Sequence, residues 1–296
     1  MKAKVLFIVP YPINTAPSQR LKFEQYYSIF QQNGFELSQD SFMSQNFWNI
    51  AYKKGYYFLK IYHTLLAYIR RLYLLFFIKK YDIIYIHLWC TPFGFPFYEW
   101  LIKKLARKVI YDIDDMIYLG NTSENNKIIG FLKSTQKVMF LAKNADHIFT
   151  STPKLVEFLS QYNSSITLIP ATIDTDKYKP NHTLDTNEIC IGWSGSHSTS
   201  KYLHLLDDVL KGITQKYNIR ILVMGDPDFH VDGLKNLELM SWSLETELHN
   251  LQRINIGLHP LPDEEWVYGK SGGKLVQYMA VGIPIVATAI GPNYDA

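Results

Sequence analysis

The sequence has few cysteines and no glycine-rich turn after its first predicted strand. Its 296 residues include two cysteines, Cys90 and Cys190, and no Cys-x-x-Cys pair. This excludes a disulfide scaffold and a cysteine-based zinc site, and it favours a reducing, cytosolic compartment. The segment YPINTAPSQR, which follows the first predicted strand, contains no glycine. The Gly-x-Gly-x-x-Gly fingerprint of a nicotinamide enzyme is therefore missing.

Long uncharged apolar runs are also missing. The apolar run at 5–9 ends at Pro10, so it is shorter than the roughly 7–15 residues of a signal-peptide core. The most apolar window, 56–78, is interrupted by Lys60, His63, Arg70 and Arg71. A membrane span needs about 18 apolar residues with few or no charges, so the sequence predicts none.

Acidic residues are missing from one segment of the chain. The whole sequence has 30 Lys+Arg and 27 Asp+Glu, a net charge of +3. Between Asp40 and Asp82 there are seven lysines and arginines and no acid, so the remainder of the chain is net acidic. Such a mild overall charge, without a groove-reading motif, argues against nucleic-acid binding.

The same basic segment is rich in aromatic residues. Residues 52–81 include ten tyrosines and phenylalanines, and their polar positions recur at helical spacing. This pattern predicts a helix with a narrow basic stripe and a broad aromatic face. One interpretation is a helix that lies on an anionic membrane surface, which would place a cytoplasmic protein at the inner face of the membrane. The other is a helix packed on a sheet with a solvated basic edge.

Short apolar runs alternate with segments of helical period along the whole chain, which is typical of parallel βα units. Strands are predicted at 4–10, 35–42, 82–89, 108–114, 147–152, 166–171, 188–195, 219–226, 237–242, 254–260 and 284–290. Helices are predicted near 18–33, 54–80, 96–107, 125–144, 153–161, 199–216, 243–252 and 272–281. The polar segment 174–185 predicts a linker.

These elements predict an α/β protein with two doubly wound, Rossmann-like domains, at 1–180 and 186–296. Ligands of such domains bind at the carboxyl ends of the strands. One loop there contains Lys270, Gly272, Gly273 and Lys274 at the start of a helix. Glycines at a helix N-terminus let backbone N–H groups approach an anion, and lysines add charge. A loop with solvated lysines is the plainer interpretation.

A second loop, GWSGSHSTSKYL, follows the first strand of the second domain. Gly195, Ser196 and Lys201 lie in it before and within a predicted helix. The small residues and the lysine suit phosphate oxygens, although Ser and Thr at such positions are more often helix caps. Together the two loops predict a clamp for a phosphate or diphosphate.

The motifs PLPDEE, GKSGGK and QYMAVGIPIVAT occur in that order and resemble the donor-binding signature of family 4 glycosyltransferases, retaining enzymes of the GT-B fold. KVIYDIDDMIY and IGWSGSHSTSKYL resemble segments of one bacterial subgroup. The resemblance implies a nucleotide-sugar donor on the second domain and an acceptor on the first, with no metal or other cofactor. It implies the following donor-site residues: Gly195, Ser196, Lys201, Lys270, Gly272, Gly273, Lys274 and Gln277.

The sequence departs from the family pattern at several positions. The family's two glutamates fall on Gly269 and Gln277, its phosphate-binding arginine on Ser196, and its histidine near the reacting carbon on Asp114. Gln277 is expected to bind a ribose hydroxyl through a neutral hydrogen bond, which is weaker than the charge-assisted bond of a glutamate. Asp114 is expected to take over the catalytic role of positioning the transferred sugar. Lys270 and Lys274 are expected to replace the missing charge. The pattern also continues past residue 296, so a truncated second domain is expected.

We therefore expect a glycosyltransferase that acts on a lipid-linked polysaccharide or glycan. Two alternatives remain open: a nucleotide-sugar epimerase of the same fold, and a non-catalytic remnant. A metal-dependent mechanism is a further alternative, because Asp112 and Asp114 form an Asp-x-Asp at a strand end. Carboxylates so placed suit a divalent metal that bridges a diphosphate, as in GT-A glycosyltransferases.

Overall fold

The computed structural model describes residues 2–119, 135–181 and 188–294. The chain divides into two compact units, Met1–Pro170 and Ala171–Ala296. The division falls before the predicted domain end at 180, because Tyr178 is 2% exposed and packs in a core of the second unit. Residues 182–187 of the predicted linker lie outside the described residues.

The first unit contains a parallel sheet. Among the described residues its strand order is β2-β1-β3-β4-β5-β6. The strands are β1 Ala3–Val9, β2 Phe35–Ser41, β3 Ile83–His87, β4 Val109–Ile113, β5 His147–Thr150 and β6 Ile166–Leu168. Its α-helices are α1 Pro17–Arg20, α2 Tyr27–Gln32, α3 Gln45–Ala51, α4 Tyr57–Leu74, α5 Phe97–Leu105, α6 Thr135–Asn144 and α7 Pro153–Leu159. The start of the predicted helix 125–144 lies outside the described residues.

The second unit repeats this architecture. Its parallel sheet has the order β11-β10-β7-β8-β9 within the described range. The strands are β7 Ile189–Ser194, β8 Ile219–Met224, β9 Leu237–Met240, β10 Ile256–His259 and β11 Ile285–Ala287. The α-helices are α8 His197–Ser200, α9 Asp207–Lys216, α10 Glu247–Gln252 and α11 Gly273–Ala280, and 3₁₀ helices occur at Lys201–Leu206 and Glu265–Gly269.

The predicted fold class of two Rossmann-like α/β units is confirmed. Successive residues of a strand point to opposite faces of its sheet, and a parallel sheet with both faces covered needs apolar residues at both. In β8, Ile221 and Val223 pack in one core, while Leu222 and Met224 pack in the other. The continuous apolar runs in the sequence are therefore the central strands.

Helix α4 presents its polar stripe to the first unit and its apolar residues to solvent. Arg71 is fully buried, with Nη1 2.9 Å from Asp40 Oδ1 and Nη2 donating to Val9 O at 2.7 Å. Arg70 also pairs with Asp40. Phe58 and Ile69 are instead 89% and 63% exposed. Arg71 therefore faces inward, whereas Arg70 is partly solvated and Lys53, Lys54, Lys79 and Lys80 are exposed.

The helix and its 3₁₀ continuation together span Tyr57–Lys80. By length and composition alone this stretch could cross a membrane, which corrects the expectation from sequence that no window would qualify. The guanidinium groups of Arg70 and Arg71 join it to Asp40 at the end of β2. This helix is thus attached to the sheet by ion pairs along one side and is apolar along the other.

Candidate anion-binding site in the second unit

The site is built where helix α11 meets the carboxyl ends of two neighbouring strands. The hydroxyl of Tyr278, on α11, accepts a hydrogen bond from the backbone N–H of Ser194 at 3.0 Å and donates to Leu258 O at 3.5 Å. Ser194 ends β7 and Leu258 lies near the end of β10. One buried tyrosine therefore fixes the helix against both strand ends.

Helix α11 begins with glycines and has no side-chain cap. Gly272, its N-cap, has φ +69°, a left-handed conformation that strains any residue with a Cβ. A Cβ on Gly273 would meet nothing within 4 Å, so open space lies beside the first turn. Uncapped N–H groups at a helix start carry partial positive charge and accept anions.

The structure brings Gly195 and Lys274 together. A Cβ on Gly195 would lie 2.4 Å from the Trp193 ring and 3.0 Å from Lys274 Cε. Lys274 Nζ is 5.2 Å from the centroid of that ring, within cation–π range. A glycine at position 195 is therefore needed for the Lys274 chain to cross the end of β7 beside Trp193.

The other two predicted lysines share an aromatic pair. Lys201 Nζ is 5.0 Å from the centroid of Tyr202, and Lys270 Nζ is 5.3 Å from that of Trp266. The Tyr202 and Trp266 rings are 5.5 Å apart. Two loops that are distant in sequence thus place their lysines on one aromatic support.

The electrostatics of the site indicate that the positive charge of Lys274 is destabilised where it lies. Burial and the nearby Lys270 lower the pKa of Lys274 to about 8. Burial and the charges of Lys274 and Lys270 lower the pKa of His259 to about 3, and His259 Nδ1 has no hydrogen-bond partner in the part of the chain that the structure describes. Over the same residues, no carboxylate forms an ion pair with Lys274. A bound anion would relieve this repulsion.

Ser196 lies at the N-cap of α8, where its hydroxyl contacts Ser198 Oγ at 2.9 Å and Thr199 Oγ1 at 3.3 Å. This short helix is fixed by Asp226, which accepts from Ser200 and lies 3.1 Å from His197 Nδ1. Burial raises the pKa of Asp226, but the bonds from Ser200 and His197 outweigh it and the net shift is downward. Sequence reasoning missed Asp226, although its position two residues after the end of β8 was a usable signal.

Gln277 belongs to a buried polar network. It is 6% exposed, and its Nε2 donates to Glu247 Oε1 at 3.3 Å. Glu247 also accepts from Trp242 Nε1 at 2.9 Å and from the Tyr178 hydroxyl at 2.6 Å. The three partners of Glu247 come from separate segments of the unit, and of this network only Gln277 was identified from the sequence.

Asp114 lies in the first unit, directly after β4. Its Oδ1 is buried and has no hydrogen-bond partner among the described residues. Burial raises the pKa of Asp114, although Lys22 and His87 act in the opposite direction. Asp112, two residues earlier, contacts Lys22 Nζ and His87 Nδ1, each at 2.6 Å. Burial alone would raise its pKa, but these two partners make the net shift downward.

The two aspartates therefore have different surroundings. Asp112 forms ion pairs, whereas Asp114 Oδ1 accepts no hydrogen bond from the described residues. Within residues 2–119, 135–181 and 188–294, no group of three or more His, Cys, Asp or Glu side chains could hold a metal ion.

Comparison with known proteins gives a fold but no family. No protein-family model matches the chain, and no curated protein matches it. Among solved structures, sucrose-phosphate synthase from Thermosynechococcus elongatus has a TM-score of 0.65 and 13% identity, over 98% of this chain and 82% of that one.

Two further structures cover 97% of this chain. An alpha-glucosyltransferase in complex with UDP-glucose and DNA has a TM-score of 0.59 and 12% identity over 80% of its own length. The S. aureus MnaA–UDP structure has a TM-score of 0.53 and 13% identity over 79% of its own length. At such identities the likeness shows the fold alone, which is the two-domain GT-B fold.

Proposed function

We propose that this chain is a glycosyltransferase that moves a sugar from a nucleotide-sugar donor to a glycan or lipid-linked acceptor, with retention of configuration. The observation that carries the proposal is that Lys270 and Lys274 lie at the uncapped start of α11, where Lys274 has no carboxylate partner in the described part of the chain. Lys201 is linked to Lys270 through the Tyr202–Trp266 ring contact. A diphosphate supplies a counter-charge for Lys274.

The same groups suit the chemistry of sugar transfer. When the bond between the sugar and the donor diphosphate breaks, negative charge develops on the leaving phosphate oxygen. Lysines and helix N–H groups that are already in place stabilise that charge as it forms. The acceptor oxygen then bonds to the same face of the sugar, and its proton passes to the leaving phosphate. UDP or UDP-glucose in two of the structures of similar fold supports a nucleotide donor.

In this proposal Asp114 of the first unit positions the transferred sugar. Its Oδ1 has no hydrogen-bond partner among the described residues, so it can accept a hydrogen bond from a sugar hydroxyl. The reaction needs no metal, because the lysines provide the positive charge.

The experiment that tests the donor site is calorimetric titration with UDP and GDP, preceded by a thermal-shift panel of nucleotide sugars. Lys274→Ala and Lys270→Ala are each expected to weaken binding by about tenfold or more, since each removes a charge-assisted contact. Lys216→Ala, at the exposed end of α9, is the matched control and should bind normally.

Unchanged nucleotide affinity in both site variants would overturn the donor site. Conversion of a nucleotide sugar without any acceptor would instead identify an epimerase. Failure of every nucleotide and nucleotide sugar to bind would favour a non-catalytic remnant.

We also propose that residues 52–81 dock on an anionic membrane surface. The outward side of α4 and its continuation exposes a row of apolar side chains: Phe58, Ile61, Leu65, Ile69, Tyr73 and Phe76. The segment contains no acid, so its charge complements anionic lipid headgroups. Aromatic rings at headgroup depth with basic side chains around them are typical of interfacial helices.

The loop before α5 extends this exposed surface. The Tyr68 hydroxyl, on α4, donates to Phe93 O at 2.9 Å and accepts from Phe93 N–H at 3.0 Å. Nearby Phe95 is 78% exposed, and Phe97 stacks on Trp100 with centroids 6.0 Å apart. Lys104 Nζ lies 4.2 Å from the centroid of the Trp100 ring. The proposed surface therefore combines two elements of the first unit that Tyr68 holds together.

A further inference from the structure

Glu247 fixes the orientation of the Gln277 amide. The carboxylate is 3% exposed and begins α10. It accepts from Gln277 Nε2 as well as from Tyr178 and Trp242. Because a carboxylate has acceptor atoms only, it selects the NH₂ end of the amide. The carbonyl oxygen Oε1 of Gln277 must then point away from Glu247.

That carbonyl oxygen is available as a hydrogen-bond acceptor. Gln277 Oε1 forms no hydrogen bond with any residue in the described ranges. Gln277 follows Lys274 by three positions on α11, so both side chains lie on one face of the helix. The face that carries the anion-binding lysine thus also carries an acceptor oxygen whose direction is fixed.

We infer that Glu247 is a positioning residue for nucleotide binding: it holds Gln277 so that Oε1 accepts a hydrogen bond from a ribose hydroxyl. This inference rests on the proposed donor site. A hydroxyl is the complementary ligand, because Oε1 needs a donor and a ribose offers two beside the diphosphate. Without Glu247 the amide rotates between two orientations, and part of the preorganisation is lost.

Glu247 also accounts for an amide at position 277. Gln277 Nε2 now lies 3.3 Å from Glu247 Oε1. A glutamate at position 277 would place a second carboxylate at about this distance from Glu247. Like charges that close repel, and one of them would bind a proton. An amide donates to Glu247 and still offers an acceptor to the ligand.

The test compares the dissociation constants of UDP and 2′,3′-dideoxyuridine diphosphate by calorimetry. We expect the unaltered protein to bind UDP about tenfold more tightly, the value of one hydrogen bond. Glu247→Leu and Gln277→Leu should each bring this ratio close to one. In the double variant, Glu247→Leu should cause no further loss, because it acts through Gln277.

Two control variants separate positioning from structural support. Tyr178→Phe removes another partner of the same carboxylate, so it should lower stability while the ratio stays near tenfold. Glu247→Gln keeps an acceptor oxygen and should restore the ratio. If Glu247→Leu does not fold, Glu247→Asp withdraws the carboxylate from Gln277 by one methylene and should produce the same loss.

Retention of the ratio in Glu247→Leu or Glu247→Asp, or an equal loss in Tyr178→Phe, would overturn the inference. Equal binding of the two nucleotides by the unaltered protein would overturn it while leaving the donor site intact. Absence of binding of either nucleotide would overturn the proposed function and the ribose contact together.

Discussion

At the scale of single residues, Lys274 is the most perturbed cation of the site. Its pKa is lowered from 10.5 to about 8 by burial and by Lys270. The unfolded chain therefore binds a proton that the folded protein lacks between about pH 8 and pH 10.5. The destabilising effect of charged Lys274 is full below pH 8 and is relieved as the pH rises through this window.

A bound diphosphate should reverse this shift, because negative charge beside Lys274 raises its pKa. Nucleotide binding at pH 8.5 is therefore expected to take up protons, and affinity should fall as the pH rises above 8. Calorimetry in two buffers of different ionisation enthalpy measures the uptake. Lys274→Met provides the comparison, and an identical proton uptake in this variant would contradict the assignment to Lys274.

At the scale of elements, α4 is unusual because its exposed side is its apolar side. Arg71 is held inside by Asp40 and Val9 O, and the Tyr98 hydroxyl donates to Arg71 O at 2.7 Å. Removing one partner of a buried ion pair costs about 3–5 kcal/mol. The orientation of this helix is thus strongly fixed, and its outward face is available for docking.

The docking proposal predicts cosedimentation with vesicles that contain phosphatidylserine, weaker at high salt and weaker still with phosphatidylcholine alone. Ile69→Asp and Phe76→Asp are expected to reduce vesicle binding by tenfold or more, since each removes an apolar side chain whose burial contributes about 1.5–3 kcal/mol. Val209→Asp, on exposed α9, changes a similarly exposed residue of the second unit. If all three variants bind vesicles alike, α4 is not the docking element.

At the scale of the whole molecule, the proposed functions are divided between two units with separate cores. The lysine cluster belongs to Ala171–Ala296, whereas α4 and Asp114 belong to Met1–Pro170. Substitutions in different units that share no partners should act independently.

We therefore expect Ile69→Asp to retain nucleotide binding and transfer to a detergent-soluble acceptor, but to lose most transfer to an acceptor embedded in anionic vesicles. Lys274→Ala should lose transfer to both. Radiolabelled sugar transfer from the donor selected by thermal shift measures each case. Equal loss with both acceptors in Ile69→Asp would show that α4 supports catalysis rather than docking.

Much of the architecture could be predicted from the sequence, because each buried strand is a short apolar run that can be recognised from its own residues. Every predicted strand is present, and each observed strand ends close to its predicted limit. Helix α3 and the 3₁₀ helix at Glu265–Gly269 were not predicted, whereas the 3₁₀ helix at Lys201–Leu206 lies within the predicted helix near 199–216. Ser44 caps α3 by accepting from Phe47 N–H, which is a weak signal within a segment dominated by aromatic residues.

The site was only partly predictable. The glycines and lysines of the two loops are visible because local chemistry selects them: a left-handed cap at Gly272 and a close approach at Gly195. Glu247 could not be found in this way, because its partners Tyr178 and Gln277 are distant in sequence. Long-range polar contacts leave no periodic signal.

The two α/β units, the strand-end loops and the basic, aromatic segment 52–81 could be recognised in the sequence, since they depend on local composition and period. The exposed face of α4 could be identified only from the folded chain, because the burial of Arg71 depends on Asp40 in strand β2. The tertiary structure likewise decided that Lys274 lies beside Gly195 and that Gln277 donates to Glu247. Such pairings depend on how the sheet brings separate strand ends together.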